Sequence, residues 1–204
     1  MRSIFRTLVL ITALSLAMKP ARAQLVDIYL GVGSAHDGST HQQFDTFGDG
    51  VLHPTTSLGG VFGDFGMGAM FSKQFGAAFD IGWRFKQGTY GGVSYRPLFY
   101  SFDGVFQPRR LTTKRFAPEL RAGIGGAALH FASDQLPQGC VNGPACQNSD
   151  HFQVHFAIAG RIYLTDHLFV RPAIDAHWVH QFTEFATGFP VQYSVGIGYS
   201  LGRE

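Results

Sequence analysis

Between Pro190 and Leu201 the residues divide into two strict sets by parity. Val191, Tyr193, Val195, Ile197, Tyr199 and Leu201 are large and apolar, whereas Gln192, Ser194, Gly196, Gly198 and Ser200 are polar or tiny. A period of two belongs to a β-strand whose two faces meet unlike surroundings. The split persists for about a dozen residues, longer than the five or six of a common soluble strand. It suits the 9–11 residues with which a tilted strand crosses a bilayer. A lone strand of this kind is not stable, so the rest of the chain has to supply its neighbours.

It does so repeatedly. Val26, Ile28, Leu30 and Val32 oppose Asp27, Tyr29, Gly31 and Gly33. From about Ser57 to Phe71, the residues Val61, Phe65, Met67, Ala69 and Phe71 oppose Asp64, Gly66 and Gly68. After a tight turn at Ser72-Lys73-Gln74, Ala77, Phe79, Ile81, Trp83 and Phe85 oppose Ala78, Asp80, Gly82 and Arg84. A fourth strand, about Val93 to Phe106, sets Val93, Tyr95, Pro97 and Phe99 against Ser94, Arg96, Leu98 and Tyr100; its pattern fades near Asp103, where a bulge is expected. A fifth opposes Phe116, Pro118, Leu120, Ala122 and Ile124 to Glu119, Arg121, Gly123 and Gly125. A sixth opposes Phe152, Val154, Phe156, Ile158, Ile162 and Leu164 to Gln153, His155, Ala157, Ala159, Arg161 and Tyr163. A seventh sets Leu168, Val170, Pro172, Ile174, Ala176 and Trp178 against Arg171, Ala173, Asp175 and His177. Pro97, Pro118 and Pro172 are unusual inside strands, because proline donates nothing to the ladder.

Eight strands joined alternately by longer and shorter connections predict an all-β fold, an eight-stranded antiparallel up-and-down transmembrane β-barrel. The connections 34–56, 86–92, 132–150 and 183–189 are the external loops. Those near 72–74, 107–115 and 165–167 are the periplasmic turns. A soluble lipocalin-like barrel also alternates, but its outer face would carry Lys and Glu. Here Lys73, Lys86 and Lys114 all lie in connections. The small parity instead collects Asp27, Asp64, Asp80, Glu119 and Asp175 against Arg84, Arg96, Arg121, Arg161 and Arg171. Such a set fits a narrow interior, where charges must pair to offset desolvation. With Tyr29, Tyr100, Tyr163 and His177, it is expected to fill the lumen. Aromatics near strand ends, such as Trp83, Phe85, Phe116, Trp178, Tyr193 and Tyr199, fit interfacial girdles.

The chain begins with Arg2 and Arg6, an apolar run from Thr7 to Ala17, and an A-x-A site at Ala21-Arg22-Ala23. Residues 1–23 therefore read as a signal peptide and 24–204 as the barrel domain. Residues 1–23 contain Arg2, Arg6, Lys19 and Arg22 and no acid, so of 16 basic and 14 acidic residues the mature chain keeps 12 and 14, a net charge of −2. No nucleic-acid partner is expected from that balance.

The final strand also resembles the C-terminal assembly signal of bacterial outer-membrane barrels, carried at Ser194, Gly196, Tyr199 and Leu201. The whole pattern resembles the small eight-stranded barrels of the OmpA/OmpX type, although Gly202-Arg203-Glu204 stands where that family commonly ends in an aromatic. The resemblance implies a monomer in the outer membrane of a Gram-negative type bacterium, surrounded by outer-membrane lipid and inserted by the barrel-assembly machinery. It implies no cofactor and names no external partner.

Few residues point to chemistry. Cys140 and Cys146 share one external loop of an exported chain and are expected to form a disulfide. His130, His151, His155, His177 and His180 gather towards the outer mouth, and imidazoles bind transition metals. Polar residues at a water boundary are the preferred account of them, and no metal site is assigned. A lipid acyl hydrolase or transferase is the rival from another class, with a small-solute channel as a further alternative. His130 and Ser133 are the nearest pair for a nucleophile, but an extended strand points them to opposite faces, and no G-x-S-x-G elbow is present.

Overall fold

The computed structural model describes residues 25–38, 43–44, 50–54, 58–90, 93–132, 148–180 and 188–202. Eight strands form the wall: β1 (Leu25–His36), β2 (Val61–Met70), β3 (Phe75–Arg84), β4 (Val93–Phe106), β5 (Phe116–Ala132), β6 (Asn148–Tyr163), β7 (Leu168–Val179) and β8 (Val191–Leu201). Each pairs antiparallel with its sequence neighbour, and β8 returns to β1 with Val26 opposite Leu201 and His36 opposite Val191. Closure leaves no free edge in the wall, the condition for a β-structure in hydrocarbon. A short strand, Gly88–Tyr90, folds back on the start of β4, and Gln43–Phe44 pairs with His53–Pro54 in a separate two-stranded ribbon.

The three short turns share one local device. Ser72, Thr113 and Thr165 each accept, through the side-chain oxygen, the backbone N–H three residues on, from Phe75 (3.0 Å), Phe116 (3.1 Å) and Leu168 (2.9 Å). A hydroxyl at that position fixes the turn and therefore the register of the hairpin it joins. The longest turn also contains a 3₁₀ turn at Arg109–Leu111.

The outward set is a belt of large apolar side chains, among them Leu30, Phe102, Ile124, Ile158 and Ile197, each about three-fifths exposed. A belt of this extent has no place in water and faces lipid. Strands of 14, 17 and 16 residues in β4, β5 and β6 exceed what the bilayer requires and carry that part of the wall beyond it.

Strand β4 corrects the sequence reading. Tyr95, Pro97, Phe99, Ser101, Asp103 and Val105 point inward, whereas Arg96, Leu98, Tyr100 and Phe102 point outward or towards the wall's outer side. Arg96 and Tyr100 are therefore not lumen residues. Arg96 lies opposite exposed His130 near the loop end, where water meets the outer surface, and the Tyr100 ring covers Gly126 on β5. No bulge occurs at Asp103: the ladder with β5 runs unbroken from Ser94–Ala132 to Phe106–Leu120.

The prolines lie inside the strands. Pro118 stands opposite Gly160, and the β6–β7 ladder skips Arg171 and Pro172 before resuming at Ala173–Ala159. The missing proline N–H accounts for that gap. Residues 1–24, with the expected signal peptide, and both Cys140 and Cys146 lie outside the described residues.

Candidate functional site: the barrel interior

Three layers fill the lumen. At the turn end and lower middle, Glu119 on β5 is fully buried and receives three guanidinium groups. Arg121 donates to it from Nε (2.9 Å) and Nη2 (2.8 Å), Arg161 donates from Nε, and Arg171 Nε lies 3.9 Å away. Arg121 also reaches Asp80 (2.5 Å) and the Tyr29 hydroxyl (3.2 Å) through Nη1. Arg161 forms an ion pair with Asp27 at 2.6 Å, and Ser200 donates to the other Asp27 oxygen at 2.5 Å. The Arg171 guanidinium lies 4.4 Å from the centre of the Tyr29 ring. Stacking of a weakly hydrated planar cation on an aromatic face is available to Arg and not to Lys.

The middle layer is centred on His155. Its Nδ1 contacts Asp103 at 2.9 Å and Ser101 Oγ at 3.1 Å, and its Nε2 contacts Asp175 at 3.3 Å. Ser101 in turn donates to Asp103 at 2.8 Å. The His155 ring stacks on His177, which stacks on Phe99 and contacts the Gln153 side-chain oxygen at 3.1 Å. Gln192 donates to Asp64.

The loop-end layer is apolar. Leu58, Phe62, Tyr95, Phe99, Leu129 and Phe131 close over the lumen and are almost completely buried. Leu58 precedes β2 and is drawn in by its backbone N–H, which donates to buried Asp37 at 3.1 Å. Arg84 stands beside this cap and donates to the Tyr95 hydroxyl at 2.9 Å.

The sequence-expected groups are thus distributed unevenly. Asp27, Asp80, Glu119, Arg121, Arg161 and Arg171 meet in the turn-end layer; Asp64 and Asp175 belong to the middle one; Arg84 stands alone by the cap; Arg96 is outside. With Asp103 added, the two polar layers set six carboxylates among the described residues against Arg121, Arg161 and Arg171, so the expected one-to-one balance is replaced there by an acidic excess. Asp103 and Ser101 were missed with the parity of β4. Reading that strand backwards from them would have placed Phe99 and Tyr95 inward. Of the assembly-signal set, Gly196 lies inward against Tyr29 and Gly31, Ser194 lines the lumen, and Tyr199 and Leu201 face outward.

Between the polar layers lies a cavity of about 30 Å³, lined by Tyr29, Asp64, Asp80, Arg171, Asp175 and His177 among others. That volume accommodates about two water molecules. Arg171 Nη2, Asp64 Oδ2 and His177 Nε2 are buried without a protein hydrogen-bond partner, which suits bridging water at this level.

Among the described residues neither an open serine–histidine pair nor a metal cluster is assembled. A serine nucleophile needs its hydroxyl on one imidazole nitrogen and the orienting carboxylate on the other. Ser101 Oγ and the Asp175 carboxylate do stand on opposite nitrogens of His155, at 3.1 and 3.3 Å, but the Ser101 hydroxyl donates to Asp103 and both it and the imidazole are buried beneath the cap. His130 is exposed and contacts Asn148, while Ser133 lies outside the described residues. His151 contacts Ser149 at 2.8 Å, and His180 packs near Trp178. Among the described residues, no group of three or more His, Cys, Asp or Glu side chains converges on a metal-sized site.

This is the fold of the small eight-stranded outer-membrane barrels, and solved structures of that class superpose on it. The outer-membrane protein OprG from Pseudomonas aeruginosa is 12% identical, with a TM-score of 0.58 over 87% of this chain and 95% of that one. Neisserial surface protein A is 8% identical, with a TM-score of 0.55 over 87% and 96%. The N-terminal barrel domain of Pseudomonas aeruginosa OprF is 11% identical, with a TM-score of 0.52 over 86% and 97%. No protein-family model matches the chain, and no curated protein matches it in sequence. At these identities the likeness concerns the fold, and function has to be argued from the interior and the rim.

Proposed function

We propose that the protein is an outer-membrane barrel with a structural or interaction role, its lumen closed and its contacts made by the external loops. The filled interior is the observation that carries this reading. An apolar cap at the loop end and two polar layers below it leave a cavity of about 30 Å³ in place of a passage. Eight strands enclose a space that side chains can fill, whereas aqueous porins use about sixteen. The network holds the wall together from inside, and the Ser101–His155–Asp103 group among the described residues lies beneath the cap. The reading carries with it an outer-membrane lipid environment, insertion by the barrel-assembly machinery, a monomeric state and non-enzymatic action.

Planar-bilayer recording on refolded protein tests the closed lumen. The expected trace is flat, or broken only by small, rare openings. Sustained conductance of porin size refutes the reading.

A further inference from the structure

The turn end of the barrel carries a concentration of charge that the interior does not use. Among the described residues of that rim, Lys73, Arg109, Arg110, Lys114 and Arg115 are exposed, against the single acid Asp166. The arginines are held in a built turn. Leu111 N–H donates to Pro108 O (3.1 Å), Thr112 N–H to Arg109 O (3.2 Å), and the Thr112 hydroxyl to Pro108 O (3.0 Å). Gln107 N–H donates to Gln74 O (2.8 Å), which brings the Lys73 turn alongside. Tyr163 N–H donates to Arg115 O (2.8 Å), which ties the other end to β6.

Directly beside these cations the surface is apolar. Leu111 is 61% exposed within the turn itself, and Phe75 (59%) and Phe116 (41%) begin β3 and β5 on the lipid-facing side. Cations just beyond an apolar margin sit at headgroup height, with their stems along the hydrocarbon boundary. A soluble polyanion would account for the charge and leave Leu111 and Phe75 unexplained; a lipid accounts for both.

We infer that this rim binds the anionic headgroups of phospholipids in the leaflet it borders. Arg109, Arg110 and Arg115 supply the planar donors that suit phosphate. The inference rests on the membrane reading above and goes beyond it, since a sealed barrel needs no headgroup preference.

The test uses the full mature chain, refolded in detergent and titrated with phosphatidylglycerol or phosphatidylcholine, lipid retention being read by native mass spectrometry. Heat-modifiable gel mobility reports folding separately, so a failure of the barrel itself is visible as such. The wild type should retain phosphatidylglycerol in preference. The R109Q/R110Q/R115Q variant should lose about a hundredfold in affinity for it at low ionic strength, taking about a fivefold loss per cation, with phosphatidylcholine unaffected. Lys86→Gln, at the opposite end, should change nothing. A salt titration of the wild type needs no variant and should erase the preference. Equal retention of both lipids, a salt-independent preference, or tighter binding of inorganic polyphosphate than of phosphatidylglycerol would each overturn the inference.

Discussion

Replacing Glu119 with Gln removes one charge and hardly any volume, so its cost isolates the electrostatics of the interior. Glu119 is fully buried and is the shared acceptor of Arg121 and Arg161, with Arg171 3.9 Å away. After the change Arg121 keeps Asp80 and Arg161 keeps Asp27, but the Nε of each faces a neutral amide, and Arg171 loses its nearest anion. Breaking a buried ion pair from one side costs about 3–5 kcal/mol, because the other charge stays desolvated. With a urea slope of about 2–3 kcal/mol per molar, the unfolding midpoint falls by about 1–2.5 M. Urea titration of protein folded in vesicles, followed by the gel mobility of folded and unfolded forms, reads that shift. Adding Arg171→Gln to Glu119→Gln should recover part of the loss, since it removes the cation left most exposed to the change. A Glu119→Gln midpoint within about 0.2 M of wild type would mean that water already screens these charges, and the sealed interior would have to be given up.

Three further outcomes are expected. Gly196→Arg should abolish insertion and Tyr199→Asp should reduce it, both read as surface levels: Gly196 sits against Gly31 and the Tyr29 ring, whereas a charge at the outward-facing position 199 costs up to a few kcal/mol, less near an interface. Phe62→Ser combined with Phe99→Ala should raise the frequency of small bilayer openings without reaching porin size, because the polar layers remain beneath the cap. Intact-mass measurement after thiol blocking, with and without reductant, should show Cys140 and Cys146 paired; two freely alkylated thiols would refute the bridge.

The wall was legible because lipid imposes one rule on every residue that touches it. Strands β1 to β3 and β5 to β8 keep the parity read from sequence, since Ile28, Met67, Ile81, Ile158 and Ile197 leave no second choice of face. The rule fails where the wall rises out of the bilayer. Near the start of β4 the outer surface meets water, so Arg96 can point outward, and the interior is the apolar cap, so Tyr95 and Phe99 point inward. Polarity is inverted there, and parity judged by polarity inverts with it. The charge count failed for a related reason. Counting five against five assumes one level and one lumen, whereas Arg84 bonds Tyr95 at the cap and three arginines gather round the single carboxylate of Glu119. Which charges meet depends on the stagger of neighbouring strands, and that stagger is written in the turns and not in the alternation.

The Glu119 cluster also dictates an order of events. Arg121 and Glu119 are two residues apart on one strand, so their pair is available as soon as β5 is extended. Arg161 joins from β6 across a single hairpin, and Asp80 from β3 two strands away. Asp27 and Ser200 come from the opposite ends of the wall, 173 residues apart, and meet only when β8 reaches β1. Until that moment Arg161 holds one of its two anions, and the unfinished interior must stay wet. Zipping the seam and shutting out bulk water are therefore one step, and the barrel becomes fit for hydrocarbon only at the instant it becomes a ring.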